Sequence, residues 1–191
     1  MKLLIAVPSH DYMNAQFVES LIKLMRRLSL DGIQYDVKFK VGTLVHIARD
    51  EIVKEALYEG YTHVLWLDSD MVFDSDVFDI LLKSNKNIVT AICRGRHGEH
   101  KLCIFKDSIT AERYSDIPKE LIAIDGCGMA CVLMNFKVLY DVFMTNGTCF
   151  LPTARFGEDL AFCKRAKECG YDIYCEPKAK CGHIAQKAIW P

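Results

Sequence analysis

The sequence predicts an α/β fold, a mostly parallel central sheet flanked by helices, and three observations carry that reading. From Leu3 to Leu67 the chain alternates strand and helix patterns as β-α-β-α-β, which implies parallel strands joined by right-handed crossovers. The run Val64-Leu65-Trp66-Leu67 is short and continuously apolar, as expected of a strand buried on both faces. The 191 residues are 51% hydrophobic, enough for a sizeable core, and read as one domain over residues 1–191.

Leu3 to Val7 is the first strand, and Pro8-Ser9-His10-Asp11 is expected to end it, because Pro cannot continue a central ladder. From Asn14 the period turns helical, with Phe17, Val18, Leu21, Ile22, Leu24, Met25 and Leu28 on one broad face. Glu19 precedes Lys23 by four residues, a favourable pairing, and Asp31-Gly32 stops the helix. Tyr35 to Val41 is a second strand. A second helix spans roughly Ile47 to Glu59, with Ile47, Ile52, Val53, Ala56 and Leu57 inward and Gly60 as its cap. Beyond the Val64–Leu67 strand, Asp74-Ser75-Asp76 offers an N-cap for a helix through Leu82, and Asn87 to Cys93 is β-branched and strand-like. Residues 106–118 show no period and predict an irregular excursion. Leu121 to Ile124 and Met129 to Met134 read as strands around Asp125-Gly126-Cys127-Gly128. Asn135 caps a short helix, and Gly157-Glu158-Asp159 opens another that ends at Gly170. Tyr171 to Cys175 and Ala179 to His183 read as two short strands either side of Pro177.

Composition narrows the function classes. Twenty-four basic against 25 acidic residues give a formal charge of -1, which favours neither nonspecific nucleic-acid binding nor a basic membrane surface. No apolar run approaches the ~20 residues of a membrane span, and Met1 to Pro8 is too short for a signal peptide. The nine cysteines are odd in number and contain no Cys-x-x-Cys. They read as buried thiols of a reducing, cytoplasmic compartment rather than a disulfide framework or a structural zinc site.

The chemistry gathers on carboxylates. Asp68 and Asp70 follow the buried strand directly, where open α/β sheets bind their ligands. Two carboxylates one residue apart repel unless a cation or donors lie between them, and hard divalent ions commonly bridge such carboxylates to phosphates. Glu158 and Asp159 open a helix, where acids complement the dipole. His183 follows the last strand, and an imidazole with two Asp completes a site suited to Mn. Arg94-Gly95-Arg96-His97 is a basic loop after a strand, read either as a solvated turn or as a diphosphate or acceptor contact, since Arg forks match phosphate geometry.

In this order, Val7-Pro8-Ser9-His10, Ala48-Arg49-Asp50, Leu67-Asp68-Ser69-Asp70, Asp125-Gly126-Cys127-Gly128-Met129, Gly157-Glu158-Asp159 and Cys181-Gly182-His183 span nearly the whole chain. The set resembles the GT-A glycosyltransferases, in particular their family-2-like members. The resemblance implies a Rossmann-like GT-A domain, an Mn²⁺ or Mg²⁺ cofactor and a nucleotide-diphosphate sugar donor such as a UDP- or GDP-sugar. The sugar would pass to an acceptor hydroxyl on a glycan, lipid or protein. It places Pro8, Ser9 and His10 in the base pocket and Arg49 on the base or a phosphate. Asp68 would hold ribose or sugar and assist the metal, with Ser69 beside it. Asp70 and His183 are the implied metal ligands, Arg96 a donor contact, and Asp125 and Gly126 a segment where a sugar approaches the backbone.

For inverting transfer the resemblance implies Asp159 as the base that takes the acceptor proton, Glu158 orienting acceptor or sugar, and Asp125 in reserve; retaining enzymes share the fold, and the sequence leaves both courses open. The helix N-terminus is expected to keep the Asp159 pKa low. Arg49 is expected on the polar side of its helix start, serving the donor rather than stability. Two other classes compete. A nucleotidyltransferase would usually carry a Gly-rich phosphate loop after the first strand, and Val7-Pro8-Ser9-His10-Asp11 has no Gly. A non-catalytic nucleotide-sugar binding module would be expected to lack Asp70 or Asp159.

Overall fold

The computed structural model describes residues 1–9, 12–96 and 99–184; His10 of the expected base pocket and His97 of the basic loop lie outside these. The elements in chain order are β1 (Lys2–Ser9), α1 (Ala15–Leu30), β2 (Gln34–Val41), α2 (Val45–Ala56), β3 (His63–Leu67), β4 (Met71–Phe73), α3 (Val77–Lys83) and β5 (Ile88–Ile92). They continue with β6 (Ile104–Asp107), β7 (Glu112–Arg113), β8 (Ile122–Ile124), β9 (Gly126–Cys127), β10 (Cys131–Asn135), α4 (Phe136–Asn146), α5 (Glu158–Glu168) and β11 (Ile173–His183).

The main sheet has the order β2-β1-β3-β10-β5-β11-β4, with β8 pairing β11. Strands β2, β1, β3, β5 and β11 run one way, while β10, β8 and β4 run against them. The sheet is therefore mixed, with the parallel sense dominant, and β10 is the antiparallel strand inserted at its centre. Side-chain parity sorts the core into two layers. Leu4, Ala6, Val64 and Trp66 face a cluster with Ile52 and Val53 of α2, Leu139 of α4 and Phe162 of α5. Leu3, Ile5, Val7, Leu65 and Leu67 face Phe17, Leu21 and Leu24 of α1 and Leu81 of α3.

Helix α1 begins where Asn14 accepts the Gln16 N–H at 2.9 Å and ends before Gly32, whose φ of 68° suits glycine. Its apolar face is narrower than the sequence implied, because Ile22 is 59% exposed. The expected excursion at 106–118 contains a strand pair instead, part of a small sheet β7-β6-β9. Pro8 does not end β1: it stays paired with Lys40 of β2. The ladder to β3 stops at Ala6, so Pro8 sits where the strand needs one neighbour only. Nor does Pro177 divide two strands. It lies inside β11 at a register shift between Glu176 and Lys180, the bulge position where a missing N–H is tolerated. No helix among the described residues is long and apolar enough to cross a membrane.

Candidate active site

The carboxyl ends of β1 and β3 deliver Ser9 and Asp68 to one edge of the sheet. A Ser9 Oγ–H···Oγ Ser69 bond of 3.2 Å links the two loops. The Asp68 N–H donates to the Ala130 carbonyl and the Met71 N–H returns to Asp68 O, closing a turn that carries Ser69 and Asp70. The starts of α2 and α5 supply Arg49, Glu158 and Asp159. Together they line a cleft of about 910 Å³, with Pro8, Tyr12 and Leu44 also in its lining.

At its floor lies an ion-pair hub. Arg49 Nη2 donates to Asp68 at 2.8 Å, while Nη1 donates to Asp159 at 2.6 Å and to Glu158 at 3.2 Å. Arg49 is 1% exposed, so the expectation of a polar-side, donor-facing Arg49 is corrected: its fork is engaged by three carboxylates and its Nε has no partner. The guanidinium also stands 5.7 Å above the Phe150 ring, which stacks on Phe162. Ile47, expected inward on the same helix, is 37% exposed, because α2 turns its Ala48-Arg49 side to the core. Asp50, which sequence reasoning left without a role, accepts the Cys149 and Phe150 N–H groups at 2.8 and 2.9 Å and the Thr148 hydroxyl. It thereby holds Phe150 beneath Arg49. The one signal for this was the adjacent Arg49-Asp50 pair at a helix start.

The electrostatics of Asp159 reverse the expectation of a low pKa. Desolvation pushes its carboxyl up, and although Arg49 opposes this, the neighbouring Asp68 and Glu158 charges reinforce it, giving about 6. The Met129 N–H donates to the carboxylate and favours its ionised form. The side chain retains 31% of its surface toward the cleft, so it is recessed rather than sealed. The dipole of α5 loses to desolvation first and to the two neighbouring carboxylates second.

Two further sequence assignments are corrected by position. Asp125 is absent from this cleft and lines another cavity with Lys167 and Arg155. Burial opposes its charge, but hydrogen bonds from Lys167 and from the hydroxyl and N–H of Ser108 hold its carboxyl down at about 2. It is a clamp, poorly suited to accept a proton. Gly126 is buried in β9, where an added Cβ would stand 2.8 Å from the Leu160 side chain. The space at that glycine is filled by the Leu160 side chain of α5 rather than left open for a sugar. Gly128 is the glycine near the site, its would-be Cβ 3.5 Å from Asp159.

The residues read as metal ligands are only partly gathered. Asp68 and Asp70 share the cleft, Asp70 paired with the Arg96 guanidinium. His183 is on β11 opposite Met71, and its Nδ1 pairs with the Arg94 carbonyl. Among the described residues the single group of three or more metal-capable side chains is Cys93, Cys103 and His183, so Asp68, Asp70 and His183 do not converge as a set. The carboxylates still suit a hard ion, which typically takes one or two protein carboxylates and completes its shell with phosphates and water.

No family model and no curated protein matches the chain. Solved structures do. A197 from STIV superposes with a TM-score of 0.65 at 17% identity, over 100% of this chain and 97% of that one. GalNAc-T7, solved with UDP, GalNAc and Mn²⁺, superposes with a TM-score of 0.65 at 9% identity over 98% of this chain. This chain spans 43% of the GalNAc-T7 chain. At these identities the likeness is one of fold: the α/β architecture is of the GT-A glycosyltransferase type.

Proposed function

We propose that this protein is a metal-dependent glycosyltransferase that moves a sugar from a nucleotide-diphosphate donor to an acceptor hydroxyl, with inversion. The observation that carries the proposal is Asp159. It is a recessed carboxyl with a pKa of about 6 at the floor of a cleft of about 910 Å³, hydrogen-bonded by the same guanidinium that holds Asp68.

The charge of the cleft supports a cation requirement. Among the described lining side chains, Asp68, Asp70, Glu158 and Asp159 face Arg49 and Arg96, a formal excess of two negative charges. A diphosphate is repelled by such a floor. Asp70, with Asp68, would hold an Mn²⁺ or Mg²⁺ ion, which supplies Lewis-acid neutralisation of the departing diphosphate. Pro8, Tyr12 and Leu44 offer surface for a base, and Ser9 and Ser69 offer hydroxyls for ribose or phosphate. Asp159 takes the acceptor proton. A base whose pKa lies just below neutral is both ionised at pH 7 and able to accept. Glu158 orients the acceptor or sugar, and Arg49 keeps the three carboxylates in place. The acceptor is a glycan, lipid or protein hydroxyl, and the nine free thiols fit a reducing, cytoplasmic setting.

The test is a hydrolysis screen of UDP- and GDP-sugars with and without Mn²⁺, repeated with Asp159→Asn and Asp70→Asn. Metal-dependent turnover of one donor is expected. Turnover that ignores both substitutions would overturn the assignment.

A further inference from the structure

Three separate parts of the chain bring metal-capable donors to one point outside the carboxylate floor. Cys93 directly follows β5. Arg94 and Leu102 form an antiparallel bridge that sets Cys93 opposite Cys103, with the Cys103 N–H donating to the Cys93 carbonyl at 3.0 Å. His183, at the end of β11, completes the group: one ring nitrogen and the two sulfurs all lie within 4.8 Å of one another. The carbonyl of Arg94 can only accept, so the ring donates through Nδ1–H and its lone pair resides on Nε2. A hydrogen bond from one ring nitrogen to a backbone carbonyl is the usual way a protein orients a histidine whose other nitrogen binds metal. Cys93 is buried, while Cys103 and His183 are half-buried, so the group is backed by protein and open on one side. The other close thiols pair among themselves, Cys131 with Cys181 and Cys127 with Cys163.

We propose that Cys93, Cys103 and His183 form a binding site for one thiophilic divalent cation of Zn²⁺ type, distinct from the hard-ion position at Asp68 and Asp70. Two sulfurs and an imidazole are a soft donor set. Such sets select zinc over Mg²⁺ or Mn²⁺, whereas carboxylates do the reverse. Three protein ligands leave a fourth tetrahedral position for water or an exogenous ligand. Binding forms two Zn–S bonds and one Zn–N bond and releases the thiol protons, so affinity rises with pH. The ion would tie the end of β11 to the segment that carries Arg94 and Arg96, and so brace the wall from which Arg96 reaches Asp70. Nothing in this inference needs the donor-sugar reading, and it gives His183 a role the carboxylate cleft does not.

The test uses the full chain, reduced with a phosphine and titrated with Co²⁺ without oxygen. The expected result is one thiolate-bound Co²⁺ per chain, counted from a thiolate-to-cobalt charge-transfer band that Zn²⁺ abolishes and excess Mn²⁺ does not. This wild-type measurement needs no variant to fold. Cys103→Ser and His183→Gln should each weaken Zn²⁺ binding by more than the ~10–100-fold that losing an outer partner costs. Asp70→Asn should keep the band while losing Mn²⁺-dependent donor turnover, which separates this site from the transferase assignment. Co²⁺ binding without a thiolate band would overturn the proposal. So would a band of unchanged intensity and Co²⁺ affinity in Cys103→Ser, or a Cys93–Cys103 disulfide whose reduction brings no Zn²⁺ affinity.

Discussion

Two aspartates, one near each end of α5, meet opposite electrostatic fates. Asp159 at the start of the helix is raised to about 6, and Asp125 beside the last turn is held at about 2. Each is partly desolvated and each has a cationic partner. The difference is how the cation is shared. Lys167 and two Ser108 donors serve Asp125, whereas one guanidinium must satisfy Asp159, Asp68 and Glu158. Desolvation, reinforced by acids crowded around a single buried cation, yields a carboxyl able to exchange its proton. One acid with several donors becomes a clamp.

The comparison breaks most forcefully at the hub. Arg49→Ala leaves three carboxylates around a vacated buried position. Removing one partner of a buried pair costs ~3–5 kcal/mol. A value near the lower end is expected in denaturant melts, because the three acids keep about a quarter to a third of their surface. An unchanged melting temperature would refute the hub as a structural element. Asp159→Asn should lower transfer by ~10²-fold or more, the scale of general-base catalysis, while metal and donor still bind. Its stability should hold at pH 8. The folded-state pKa of Asp159 is raised, so ionising it costs stability as pH climbs from the unfolded value toward about 6, and Asn is free of that cost.

Asp125→Asn should do the converse. Transfer stays intact, and stability at neutral pH falls by about 1 kcal/mol, the size of a partly exposed ion pair. With its folded pKa depressed, Asp125 stabilises above the unfolded carboxylate range, and this is lost as pH falls toward about 2. An acid titration of Asp125→Asn should lack that component. The finest test is a pH profile. Wild-type transfer should rise through about pH 6 as Asp159 ionises. In Arg49→Lys, a point charge that cannot fork to three acids, the acid limb should move to higher pH. A limb that does not move would detach Asp159 from the profile.

Much of this architecture was legible along the chain because its causes are local. Val64–Leu67 is apolar without a break because both faces of β3 are covered. Asn14 caps α1 through its own side chain, and Gly32 occupies a left-handed turn. The acids Asp68, Asp70, Glu158 and Asp159 stood out for similar reasons: they follow a buried strand or open a helix, and all four reach one cleft.

What lay beyond the sequence depends on partners brought from far along the chain. Arg49 looks like a surface cation until Asp68, 19 residues away, and Asp159, 110 residues away, close on it. Gly126 resembles a ligand-approach glycine until Leu160 is packed over it. His183 resembles a partner for Asp70 until the Arg94 carbonyl takes its ring and two thiols gather beside it. Period and capping depend on neighbours within a turn or two of chain. Burial, charge sharing and the protonation of Asp159 depend on which distant groups surround a side chain, and only the packed tertiary structure decides that.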